Sequence, residues 1–260
     1  GFNLITRFAP RLTAAGRTPM LKGRGSRTAG RGNRFAMLEV YPVPTLYVVA
    51  TPIGNLQECS PRAVETLRTV RLIAAEDTRV TQKLLAAFDI HTPLTSCHEH
   101  NERGKAEQIV RRMLDEQIDV ALTTDAGTPC ISDPGSLLAA EAIRCGIPVL
   151  AVAGPTAMAA ALSVSGFVVE EFTFYGFLPR ARGELREKLL AMARQSKLAV
   201  VHESPHRVVD LLECVRDVLP QTLVSASCDL TKKFERTVRG GVDAVLDDLI
   251  GWFDAHVPRP

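Results

Sequence analysis

Aromatic side chains are scarce in this chain. One tryptophan, three tyrosines and ten phenylalanines in 260 residues mean that a core drawn from the 46% hydrophobic fraction must be mostly aliphatic. No stretch approaches the roughly 20 uninterrupted apolar residues of a membrane helix, and no apolar segment of secretory type is present. The six cysteines (Cys59, Cys97, Cys130, Cys145, Cys214, Cys228) form no CxxC pair. That spacing excludes a zinc ribbon and a disulfide framework, and leaves free thiols in a reducing compartment. Cys97, His98 and His100 lie close together, but no fourth ligand stands at a metal-binding spacing, so no metal is expected. A strand followed by GxGxxG, a GxxxxGK loop and a GxSxG elbow are all missing, which leaves a dinucleotide Rossmann site, a P-loop and a serine-hydrolase triad unsupported.

Acid is missing from one region only. Residues 1–36 hold seven arginines and Lys22 without a single Asp or Glu, so this segment carries +8 of a total of +2 and leaves −6 on residues 37–260. Residues 1–44 are expected to form a basic, disordered extension with too little apolar surface to offset its ordering entropy. It reads as an upstream extension, as an arm that attracts RNA phosphates, or as an organellar import signal. A cytoplasmic protein is the expectation, with organellar import as the alternative.

From residue 46 onward, short apolar runs alternate with amphipathic ones. Leu46–Ala50, Leu72–Ala75, Ile118–Leu122 and Val149–Val152 read as buried strands. Ser60-Pro61 opens a helix through Val70, Asn101 caps one running to Glu116, and 137–144 ends at Gly146. The alternation resumes after Phe172 with strands at 172–177, 198–202, 223–226 and 234–239. Helices are expected over 183–194, through Val215, and finally to Trp252. Strands alternating with helices predict an α/β fold with a mostly parallel sheet in its first half. The expected organisation is an N-terminal α/β domain over 45–168, a C-terminal α/β domain over 169–251, and a tail over 252–260.

Ligands of such sheets bind beyond the carboxyl ends of the strands. Four loops there are rich in turn and polar residues: 51–56 (TPIGNL), 75–79 (AEDTR), 124–135 (TDAGTPCISDPG) and 153–157 (AGPTA). Asp77 and Thr78 suit helix capping, whereas Glu76 and Arg79 beside a buried strand need partners. Further polar groups gather at 98–102 (HEHNE), 178–180 (LPR), 203–207 (ESPHR) and 231–233 (TKK).

ATPIGNL, AEDTR, HEHNE, DAGTPCISDPG, GPTA, YGFLPR, ESPHR and LTK occur in an order that resembles the tetrapyrrole methylase superfamily, and within it the branch that methylates small-subunit ribosomal RNA. The resemblance covers residues 45 to about 250. It implies two α/β domains of the class III methyltransferase type with S-adenosyl-L-methionine (SAM) in the cleft between them, no metal, and a homodimer. It further implies 2′-O-methylation of a cytidine ribose in the decoding region of 16S rRNA, on naked RNA or the 30S subunit. The alternatives are methylation of a tetrapyrrole-like small molecule or a modified protein side chain, or a ribosome-binding protein without catalysis.

Carried over residue by residue, the resemblance assigns cofactor contacts to Pro52, Gly54, Asp125, Ala126, Gly127, Thr128, Asp133, Pro155, Thr156 and Ala157. Catalytic candidates are Glu76, Asp77, His98, Glu99 and Glu203; RNA-binding candidates are Arg79, Arg180, Arg207 and Lys232. The chain departs from the family's pattern at Cys228 in place of an Arg, at His202 and Cys97 in place of Tyr, and at Thr124 in place of Ser.

Overall fold

A computed structural model describes residues 1–8, 44–99 and 101–256. Its first element corrects the sequence reading. Phe2–Arg7 is a strand, β1, rather than part of a disordered extension. It alternates Phe2 and Leu4 toward one face with Ile5 toward the other, and all three are buried. The rest of the expected extension up to residue 43 lies outside the described residues.

The N-terminal domain contains β2 (Leu46–Val49), α1 (Pro61–Thr69), β3 (Leu72–Ala75), α2 (Thr78–Ala87), β4 (Leu94–Ser96), α3 (Glu102–Glu116), β5 (Val120–Thr123), α4 (Ser136–Arg144), β6 (Val149–Val152) and α5 (Ala157–Ser163). Its five strands run in the order β4-β3-β5-β2-β6, and every pairing is parallel. Aliphatic side chains of α3 and α4 cover one face and those of α1 and α2 the other, as a parallel sheet requires. The short, polar β4 (LTS) was not foreseen. Ser60 caps α1, its Oγ accepting from the Ala63 N–H at 3.1 Å with Pro61 in the first turn. Asn101 does not cap α3; its Oδ1 accepts from the His98 N–H at 2.9 Å, because a tight turn precedes the helix.

The C-terminal domain follows with β7 (Thr173–Phe177), α6 (Arg182–Gln195), β8 (Leu198–Glu203), α7 (Val208–Val218), β9 (Leu223–Cys228), β10 (Arg236–Gly241) and α8 (Val242–His256). The last helix therefore runs through Trp252 to His256, where a tail was expected. Its strand order is β10-β9-β1-β8-β7. β1 is central and antiparallel to both β8 and β9, while β7 and β8 are parallel. Helices α6, α7 and α8 cover one face of this sheet. The other face meets Ala161 and Leu162 of α5 together with Ile53, all from the N-terminal half. The two domains thus share a core as well as a cleft.

No helix among the described residues is long and apolar enough to cross a membrane.

Candidate active site

Parallel strands deliver their loops to one edge, and hydrogen bonds between those loops set the site's shape. Thr51 and Gly127 form an isolated antiparallel bridge, with N···O distances of 2.8 and 3.1 Å. Thr51 Oγ1 also donates to the Thr124 carbonyl at 3.1 Å. Thr128 Oγ1 donates to the Pro155 carbonyl at 3.3 Å, which ties in the loop after β6. The expected cofactor residues Pro52, Gly127, Thr128 and Pro155 therefore belong to one mutually braced scaffold, with Thr156 at the start of α5.

Glu76 closes this scaffold from β3. Its Oε2 accepts from Thr124 Oγ1 at 2.5 Å and from the Asp125 N–H at 3.2 Å, while Asp125 Oδ1 accepts from the Asp77 N–H at 3.2 Å. Asp133 stands close enough to feel the same charges. Burial, then the negative charge of Glu76, push its carboxyl up to about 6, and burial likewise raises Asp125. An acidic pocket of this kind favours a cationic ligand or a shared proton.

Asp77 has a different task. Its Oδ1 accepts from the Arg79 N–H at 2.8 Å to cap α2, and Oδ2 pairs with the Arg79 guanidinium at 2.6 Å. Those hydrogen bonds lower its pKa to about 2. Such a carboxylate is a poor proton acceptor near neutral pH.

The C-terminal domain closes the cleft against these loops at two points of backbone approach. A Cβ on Gly54 would stand 2.5 Å from Lys232 Cγ and 3.0 Å from the Leu230 carbonyl. Gly176, at φ +61°, would bring a Cβ within 2.7 Å of Ser132 Oγ. Ser132, Asp229 and Thr231, all at positive φ without being glycine, border the same cleft, where local strain commonly accompanies function.

Between these walls lies a cavity of about 450 Å³, within the usual range for small-molecule sites. Of the expected cofactor residues, Ala126, Asp133 and Ala157 line it. Of the catalytic candidates, only Glu203 lines it. Glu203 is 2% exposed; its Oε1 accepts from the Ser204 N–H at 2.8 Å and faces Arg207 Nη1 at 3.5 Å, while Oε2 is buried without a partner. His98 and Glu99 stand apart at the start of α3, where Asn101 Nδ2 lies 3.1 Å from His98 Nε2. His100 lies outside the described residues.

Sequence reasoning passed over several lining residues. Ile53, Ile131 and Leu230 supply an apolar wall, and Phe177 lies 61% exposed at its rim. Ile53 sits inside the TPIGNL motif and Phe177 inside YGFLPR, so proximity to a motif was the available signal. Phe2 and Asn3 also line the cavity and had none. His202 packs its ring against Phe174 and Phe177 at 5.0 and 5.8 Å, an aromatic contact at the position where the resemblance leads to Tyr; burial lowers its pKa. Cys228 is buried at the end of β9, and burial raises its thiol pKa. Burial also pushes Cys97 and Cys130 up to about 11, so these are unreactive packing thiols. All six cysteines are free. Among the described residues, no three His, Cys, Asp or Glu side chains are grouped to hold a metal ion.

The family described as Tetrapyrrole (Corrin/Porphyrin) Methylases matches residues 45–245. The chain belongs to the tetrapyrrole methylase family. Within it, the chain is 43% identical to ribosomal RNA small subunit methyltransferase I of Vibrio cholerae, over 80% of this chain and 71% of that protein. It is 45% identical to the protein of that name from Xylella fastidiosa (79% and 75%) and 39% to the one from Bacillus subtilis (80% and 69%). Solved tetrapyrrole methylases share the fold. A uroporphyrin-III C-methyltransferase from Thermus thermophilus, complexed with S-adenyl homocysteine, superimposes with a TM-score of 0.55 at 16% identity, covering 84% of this chain and 94% of that one. A cobalt precorrin-4 methyltransferase of cobalamin biosynthesis gives 0.56 at 14% identity (80% and 89%). The two-domain α/β architecture is therefore that of a class III methyltransferase.

Proposed function

We propose that this protein uses SAM to methylate the ribose 2′-hydroxyl of a cytidine in the decoding region of 16S rRNA. The observation that carries the reading is the cavity shared by the two domains, walled by residues of the TPIGNL, DAGTPCISDPG and ESPHR loops, in a chain 43% identical to a ribosomal RNA small subunit methyltransferase I. Its donor set fits the cofactor. Ile53, Ile131 and Leu230 offer apolar contact for a purine and a thioether, and Asp133 with Asp125 and Glu76 offers negative charge to a sulfonium. Ala126, Gly127, Thr128 and Ala157 would hold the cofactor, with Pro52, Gly54, Pro155 and Thr156 shaping the loops behind them.

When bound, SAM supplies a methyl group on a good leaving group, so alignment contributes more than acid-base assistance. The braced loops fix that alignment before any substrate arrives. Glu76 holds the DAGTP loop in place through Thr124 and Asp125, which makes it a positioning residue. Asp133, its carboxyl pushed up to about 6 on the cavity wall, is a better proton acceptor than an ordinary carboxylate and is the carboxyl suited to take the 2′-hydroxyl proton. Asp77 holds Arg79 at the rim and does not serve as the base. Glu203 holds the ESPHR turn through Ser204 and Arg207.

RNA meets the rim. Arg180 is exposed, Arg79 has an 87% exposed side chain, and Lys232 pairs with Asp229 at 2.9 Å beside the cavity. Arg207 is half-buried and donates to the Pro179 carbonyl at 3.2 Å, so its contribution is to shape the YGFLPR loop. Phe177 and the 74% exposed Phe234 present aromatic faces on which unstacked bases can pack. A homodimer would double this rim, and the exposed Val168, Val169 and Phe172 between the domains provide apolar surface for it.

Calorimetric titration with SAM, followed by transfer of labelled methyl into 30S subunits, tests the proposal. One-site binding and label in 16S rRNA are expected. Absence of SAM binding would contradict the cofactor assignment, and label recovered only in protein or in a tetrapyrrole would contradict the substrate.

A further inference from the structure

Strand β1 lies outside residues 45–245, yet it contributes to the cavity wall. Asn3 is opposite His202 on β8 and Ser227 on β9, on the sheet face that carries Ile5 and turns toward the N-terminal domain. It is 7% exposed, and its side-chain amide makes no hydrogen bond among the described residues; Oδ1 is buried without a partner. Neither cross-strand neighbour supplies one. Ser227 Oγ pairs with Thr237 Oγ1 at 2.9 Å, and His202 packs on Phe174 and Phe177.

A buried amide without a partner costs folding free energy that an aliphatic residue at this position would spare. Ile5, two residues along the same face, shows that this face accepts one. The polar group therefore adds nothing to folding and is well placed to meet a polar ligand in the cavity. A neutral amide, donor and acceptor together, matches the mixed hydrogen-bonding edge of a nucleoside, whereas the acidic groups across the cavity match a cation.

We infer that Asn3 is a ligand-binding residue: its side-chain amide hydrogen-bonds the nucleoside moiety of the methyl donor, so that β1 completes the cofactor site. This rests on the placement of SAM in the cleft proposed above.

The test compares the full chain with Asn3→Leu, which keeps the volume, suits a strand and removes the amide. S-adenosylhomocysteine and adenosine are each titrated calorimetrically, and urea unfolding is followed without ligand. Both ligands should bind Asn3→Leu about tenfold more weakly, the loss of one well-made buried hydrogen bond, while the unfolding midpoint stays level or rises. Unchanged affinity for both ligands in Asn3→Leu would overturn the inference while leaving the donor site intact. Loss for S-adenosylhomocysteine without loss for adenosine would overturn the nucleoside contact. If the unaltered protein bound neither ligand, the donor site itself would fall, and this inference with it. Should Asn3→Leu not fold, Asn3→Ser gives the same comparison, again with weaker binding expected and equal binding overturning the inference.

Discussion

Glu102 illustrates how a motif residue acts structurally. It is buried, and its Oε1 accepts from the backbone N–H groups of Gly135 and Leu137 at 2.8 and 2.7 Å, which anchors the start of α4 to the HEHNE segment. Two charge-assisted hydrogen bonds to a helix N-terminus are worth a few kcal/mol together, so Glu102→Ala should destabilise the protein by about 3 kcal/mol in urea unfolding, and Glu102→Gln by less. Asp133 behaves in the opposite sense. Its folded pKa of about 6 exceeds the ordinary 3.8, so the folded state binds the proton more tightly than the unfolded one. The associated stability is fully present below about pH 4 and is lost as pH rises through about 6. Asp133→Asn should therefore be more stable than the parent at pH 7, on the order of 1 kcal/mol after solvent screening, with the difference vanishing by pH 4. SAM affinity of the parent should fall below pH 6 as the carboxylate is neutralised, and that of Asp133→Asn should be flat; equal pH profiles would remove Asp133 from the donor's surroundings.

Among the elements, β1 joins the C-terminal sheet from the other end of the sequence. Placed between β8 and β9, it supplies the centre of a sheet whose other strands begin at Thr173. Ile5 is fully buried against Ala161, Leu162 and Val200, so Ile5→Ala should cost about 2–5 kcal/mol and Ile5→Asp should prevent the C-terminal domain from closing. Loss of near-ultraviolet ellipticity at lower urea is the readout; an unchanged transition in both variants would show that the strand is dispensable. This strand was illegible in the sequence. Six residues of mixed character opened a segment dominated by arginine, and both pairing partners lie about two hundred positions away, so no local pattern marked it. The parallel domain was legible for the converse reason. Leu72–Ala75 and Val120–Thr123 are buried throughout, and the runs Leu72–Ala75 and Ile118–Leu122, the latter with Asp119 inside, read as buried strands, while Ser60-Pro61 marked a helix start with its own chemistry. The cavity wall was legible where turn chemistry concentrated, in TPIGN and DAGTPCISDPG, which supply Ile53, Ala126 and Asp133 to it. It was illegible for Asn3, which lines the cavity from a strand that no motif marks.

At the scale of the molecule, charge decides how RNA can be held. Residues 37–260 carry a net −6, so under the proposed function phosphate attraction in that part of the chain would depend on local cations such as Arg79 and Arg180 rather than on overall charge. Arg180→Ala should weaken binding to 30S subunits and reduce the salt slope by about one, whereas Phe177→Ala should weaken binding by about 1–3 kcal/mol without altering that slope. The proposed reaction places SAM in a cleft built by two domains, beside a ribose of 16S rRNA. It is tested most directly by treating unmethylated 30S subunits with the protein and SAM, digesting the 16S rRNA, and identifying the product nucleoside by mass spectrometry. The expected product is 2′-O-methylcytidine at a single position in the decoding region. A methyl group on a base, or none in the RNA, would contradict it.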